Sequence, residues 1–194
     1  MATTAAPYGF IPISHTSGTP RTVRMSGGIA SGQSGNIFKY QPVTLVAGYI
    51  SPVTAITDQI FGIFAGVSYT PTGGQPTDSP MWPTTQTYLS NNDMFVYFWP
   101  AWDASLRLKV QADGTVAQAL MGSQFNVSSV SGSTTSGLSA ASVLFGGVTT
   151  TYQGQFFLSE FFEGPTSAAG DTYTDLIVGV AYPQVGPAAQ KSIF

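Results

Sequence analysis

The chain has no cysteine, a single histidine and very little charge. Without cysteine there is no disulfide, no thiolate nucleophile and no Cys-based metal site. Any Ser-His-Asp triad would have to use His15. Neither Gly32-Gln33-Ser34-Gly35 nor Gly122-Ser123 completes the G-x-S-x-G elbow that such a serine uses. An ordinary packing contact is therefore the expectation for His15. The glycines between Gly27 and Gly35 lack a following Lys-Ser/Thr, so they read as a flexible turn and not as a phosphate loop.

The nine acids offer little more. Glu160 and Glu163 flank Phe161-Phe162 at a strand end and face opposite ways, which argues against a glycosidase pair. Asp171 and Asp175 lie around a loop-to-strand junction without a clustered calcium pattern, and read as solvated loop acids. Asn126-Val127-Ser128 is a glycosylation sequon in form only, because no secretory signal precedes it. The expectation is a non-enzymatic chain with no catalytic residue, no cofactor and no metal.

Charged residues make up 8% of the sequence, against about a quarter in an average chain. A free monomer normally keeps itself soluble with a mixed charged surface. This chain must cover itself with Thr, Ser, Gly, Gln and Asn, or hide surface against partners; we favour the second, with the first contributing. Residues 1–57 hold Arg21, Arg24 and Lys39 and no acid, while residues 58–194 hold three basic residues and all nine acids. So few and scattered cations do not make a nucleic-acid footprint. No apolar run is long enough to span a membrane, and Met1 to Pro7 lacks the basic and apolar regions of a signal peptide. A protein made in the cytoplasm, with neither nucleic acid nor membrane as partner, is expected.

What the chain does have is 43% hydrophobic residues, with aromatics making up 13% of the chain, on a length ample for one core. Its best-patterned stretch runs from Met94 to Gly114. Leu106, Leu108 and Val110 alternate with Arg107, Lys109 and Gln111, the period of a half-buried strand. Met94 to Trp99 is apolar throughout, which predicts a strand covered on both faces. The two are expected to form a central antiparallel pair. Further strands are predicted over 37–46, 49–50, 60–69, 124–130, 143–151, 155–162 and 174–182, with Gly- and Pro-rich turns between them. One short helix is predicted over Val116–Met121, with Thr115 as its N-cap.

The expected fold is therefore all-β: a barrel or sandwich body over 36–182, an extended N-terminal arm over 1–35 and a tail over 183–194. In the arm, Tyr8, Phe10, Ile11 and Ile13 form an apolar knot. That knot either folds back on its own core or packs on a neighbouring subunit. Trp82 and Trp99 adjoin strands and read as core, whereas Trp102, after Pro100, is the best candidate for an exposed aromatic.

Several segments resemble, in their order, a family of tailed-phage virion proteins. They are Ala6-Pro-Tyr-Gly-Phe-Ile-Pro-Ile, Phe38-Lys-Tyr-Gln-Pro-Val, Phe61-Gly-Ile-Phe-Ala-Gly-Val-Ser-Tyr-Thr, Gly74-Gln-Pro-Thr, Met81-Trp-Pro and Lys109-Val-Gln-Ala-Asp-Gly. The resemblance is to head decoration, or capsid cement, proteins, usually encoded close to the major capsid protein. It spans most of residues 5–125, and Trp99-Pro-Ala-Trp departs from the family, which often has acids there. It implies a bacteriophage structural protein on the outer surface of the virion, where it stabilises the head at junctions between capsomers. The implied partners are the major capsid protein and further copies of the chain, as a homotrimer by preference or a homodimer. Tyr8, Phe10, Ile11, Ile13, Arg21, Arg24 and Trp102 are the residues expected at such interfaces. The alternative is a virion or surface carbohydrate-binding module that uses Trp102 and the loop from Pro71 to Pro80.

Overall fold

The structure, a computed structural model, describes residues 4–16, 18–144, 154–164 and 167–185. In chain order its strands are β1 (Ile11–Ser14), β2 (Val23–Ser26), β3 (Ile37–Phe38), β4 (Pro42–Val46), β5 (Tyr49–Pro52), β6 (Gly62–Tyr69) and β7 (Thr77–Ser79). There follow β8 (Met81–Trp82), β9 (Phe95–Pro100), β10 (Arg107–Gln111), β11 (Gln124–Ser129), β12 (Ser142–Leu144), β13 (Phe156–Phe161) and β14 (Asp175–Val180). The fold is all-β. Among the described residues the only helical elements are single 3₁₀ turns at Asn91–Asp93 and Gln118–Leu120. The second replaces the helix expected over Val116–Met121: Ala117 rather than Thr115 precedes it, and Val116 is spent in the core.

Two antiparallel sheets form the body. The first runs β1-β10-β14-β13-β11-β12 and the second β2-β9-β6-β4-β5, with β7 also on β6; β3 and β8 make a small separate pair. Two apolar cores follow from the side-chain alternation. Leu108, Val110, Phe156, Leu158, Leu176 and Val178 line the inner face of the first sheet and meet Phe10, Ile60 and Ile63. Val43, Phe64, Val67, Val96 and Phe98 of the second sheet meet Ile29, Ile37 and Trp82 in the other. Successive strand residues point to opposite faces. Strand β6 thus supplies Ile63 to one core and Phe64 to the other, and is the strand covered on both sides.

That role was expected of Met94–Trp99. Instead β9 alternates, with Val96 and Phe98 buried and Phe95, Tyr97 and Trp99 half-buried. The expected central pair is also divided. Strand β9 pairs with β2 and β6 in one sheet, and β10 pairs with β1 and β14 in the other. Ala101 to Leu106 is therefore a crossover between sheets.

Residues 4–16 and 18–35, expected as an extended arm, lie on the body and add an edge strand to each sheet. Ile11 pairs with Lys109, and Val23 with Phe98. Phe10 is fully buried and stacks on Phe156 with ring centroids 4.4 Å apart. Ile29 is fully buried in the second core. Of the two readings open for the knot, the described residues adopt the folded-back one. Gly9, at φ +80°, makes this possible: a Cβ there would lie 2.8 Å from the Tyr40 carbonyl oxygen. The start of the tail is docked as well, since the Gln184 side chain bonds the backbone N–H and carbonyl of Leu45.

Candidate interaction face

Alternation in the first sheet sends Leu108 and Val110 inward and therefore Arg107 and Lys109 outward. Cross-strand register then sets one row of neighbours across four strands: Ile11, Lys109, Ile177 and Glu160. Lys109 is the centre of the outward face. Its Nζ lies 3.1 Å from Asp175 Oδ2, 3.7 Å from the centroid of the Phe162 ring and 5.4 Å from that of Tyr8. Tyr8 in turn donates its hydroxyl to Asp175 Oδ1 at 2.9 Å. Burial, and next the charge and the hydrogen bond of Asp175, push the Tyr8 phenol far above its ordinary range. It is a neutral donor at any pH at which the protein is handled.

A second group sits beside this one. The Arg107 guanidinium lies 5.4 Å from the Phe157 ring and donates to the carbonyls of Ala104 and Leu106. Phe157 pairs with Gly179 and its ring reaches over it, so that a Cβ on Gly179 would come within 2.3 Å of the ring. The cations of this face are held against rings and carbonyls, and Lys109 has its carboxylate already in contact. Half-exposed Phe162, Phe157, Ile177 and Ile11 stand among them. Such a surface gives up apolar area to a partner without stranding an unpaired charge, which is the composition of an interface centre.

The seven residues expected at interfaces are scattered by the fold. Tyr8 and Ile11 lie on this face, and Ile13 sits at the bulge of β1 with 39% of its surface exposed. Phe10 does not qualify, because its ring is consumed in the core. Arg24 lies on the edge strand β2 of the other sheet, where its guanidinium covers Phe95 at 4.6 Å, and Arg21 is exposed in the segment before that strand. Trp102 is not an open platform: its ring packs at 5.4 Å on Phe61 and 5.9 Å on Phe98. Lys109, Phe157, Phe162, Asp175 and Ile177 were not among the residues expected at interfaces. The Arg107/Lys109 alternation and the Phe161-Phe162 pair were the visible signals for some of them.

Asp175 is also not the solvated acid expected, since it is buried and ion-paired. His15 meets Asp103, with Nε2 to Oδ2 at 2.5 Å, and Ser105 donates its hydroxyl to the other carboxylate oxygen at 2.7 Å. A triad needs the imidazole between the hydroxyl and the carboxylate. Here the carboxylate is in the middle, and the three residues clasp the N-terminal segment to the crossover. Burial opposes ionisation of Asp103, but the bonds from Ser105 and His15 outweigh it and hold the carboxyl below its ordinary range.

Compared with protein-family models, with curated proteins and with solved structures, the chain finds no match.

Proposed function

We propose that this chain is a non-enzymatic bacteriophage head decoration protein that attaches to the outside of the capsid and cements junctions between capsomers. The observation that carries the reading is the outward face of the first sheet, where Tyr8, Phe162 and Ile177 surround Lys109, already satisfied by Asp175, and Phe157 lies beside them against Arg107. The low charge of the whole chain fits the same role, because a protein that buries surface against a shell needs less solvation than a free monomer. The motif order described above supports the choice of partner, the major capsid protein, and of location, the outer surface of the virion.

The mechanism is mechanical. Each copy covers a junction with a modest area, and many copies acting together make opening of the shell slow. Self-association into a closed homotrimer, or failing that a homodimer, fits a site on a local symmetry axis. The test is the temperature at which capsids release their contents, measured with and without added protein. Protection that saturates with protein concentration supports cementing, and an unchanged release temperature counts against it.

A further inference from the structure

We infer that copies of this chain join head to tail, the free edge of β2 in one copy pairing with the free edge of β7 in the next, and that this contact closes the homotrimer. Strand β4 pairs with β6 only at Gly62 and Ile63, whereas β7 pairs with it at Val67, Ser68 and Tyr69. Beyond the reach of β4 the second sheet is therefore a four-strand ribbon in the order β2-β9-β6-β7. Each pairing in it is antiparallel, so β2 and β7 run in opposite directions at its two edges. Among the described residues no further strand and no backbone hydrogen bond meets the outer side of either one. Such an edge is a row of open N–H and carbonyl groups that accepts a strand from another chain.

The two edges carry opposite charge on one face. Register places Ser26, Phe95, Ser68 and Asp78 in a single row, and Arg24, two residues from Ser26, points to the same side. Arg24 and Asp78 are both exposed, so each is open to a neighbour. The Phe95 ring holds the Arg24 guanidinium at 4.6 Å, and neither charge has a salt-bridge partner among the described residues. An edge paired with its own copy brings Arg24 towards Arg24, or Asp78 towards Asp78, and like charges across a ladder are destabilising. Pairing β2 with β7 sets unlike charges opposite one another instead. With Arg24 facing Asp78 of the next copy, antiparallel register sets Val23 against Ser79 and Met25 against Thr77. The neighbour then covers Val23, of which 39% is exposed. Rotation about an axis along the strands keeps both the antiparallel sense and the face, so the same contact repeats until the ring closes. The inference rests on the self-association in the reading above and not on its capsid-binding face.

The experiment is sedimentation velocity and native mass spectrometry of the full chain over a range of concentrations, with Arg24→Asp, Asp78→Arg and the double reversal. The wild type is expected as a trimer. Each single reversal should raise the concentration at half-assembly about tenfold or more, and the double reversal should restore it. Unchanged melting temperatures show the variants folded, and if one single reversal fails to fold the other decides. Register is read separately, because the chain has no cysteine of its own. Directly opposed residues of an antiparallel pair have Cα atoms about 4.5–5.5 Å apart, within disulfide reach. The oxidised Val23→Cys/Ser79→Cys variant should run as a covalent trimer under denaturing conditions, and each single-cysteine variant as a monomer. A wild type that stays monomeric or assembles to another size overturns the inference. So does a trimer indifferent to the reversals, or a single-cysteine variant that crosslinks to itself. Capsid attachment through the first sheet is decided apart from all of these, by the release temperature.

Discussion

Gly179 shows how one missing atom shapes the proposed interface. Phe157 lies where a Cβ would be, so Gly179→Ala must push the ring off the sheet. Overpacking of this kind costs about 1–3 kcal/mol, and chemical denaturation should read a loss in that range. Asp103 is the residue with a legible pH dependence. Its folded carboxyl is depressed, so the stabilisation is fully present above the unfolded value and fades as pH falls through the folded one. Stability profiles of the wild type and Asp103→Asn should therefore lie apart at neutral pH and converge in acid, below about pH 4. Parallel profiles would refute the clasp. Neither Asp103 nor Asp175 revealed its role in the sequence, and the reason is distance along the chain. His15 is 88 residues from Asp103, and Tyr8 is 167 from Asp175. No local pattern carries such pairings.

Strands themselves were far more legible than their partners. Period-two alternation marked β10, and apolar β-rich runs between Gly- and Pro-rich turns marked β6, β11, β13 and β14 close to where they lie. Pairing is set by the whole tertiary arrangement. Thus β9 and β10, adjacent in sequence, part at the crossover that begins with Ala101 and join different sheets. The predicted strand over 37–46 broke for a local reason: Tyr40 adopts φ +70°, ending β3 before β4 begins at Pro42. The predicted strand over 143–151 is met by β12 at Ser142–Leu144, and residues 145–151 lie outside the described ones. The N-terminal segment is the element whose role changed most. Since it supplies β1, β2, Phe10 and Ile29, deleting residues 2–35 should unfold the body rather than leave it intact. The point version is Phe10→Ala, expected to cost about 3–5 kcal/mol in denaturant unfolding, where Arg21→Ala costs little. A folded, cooperatively melting deletion variant would show that the segment is only an attached arm.

At the scale of the molecule, two cores share the second sheet, and β6 belongs to both. This arrangement leaves the outer side of the first sheet covered only in part, by Ala6 and Tyr8 over Gln111 and Asp175, and that is where the rings and paired charges gather. The fold class could be read from composition and period, whereas this face could not, because it is assembled from β1, β10, β13 and β14 by register. Phe162 is its most exposed ring, at 38%, so it can be truncated with little effect on folding. The decisive measurement is co-sedimentation of wild-type protein and Phe162→Ala with capsids built from the major capsid protein encoded nearest to it. Saturable wild-type binding, weakened about tenfold or more in a variant of unchanged melting temperature, is the predicted result. Wild-type protein that fails to bind, or a variant that binds equally well, would contradict attachment through this face.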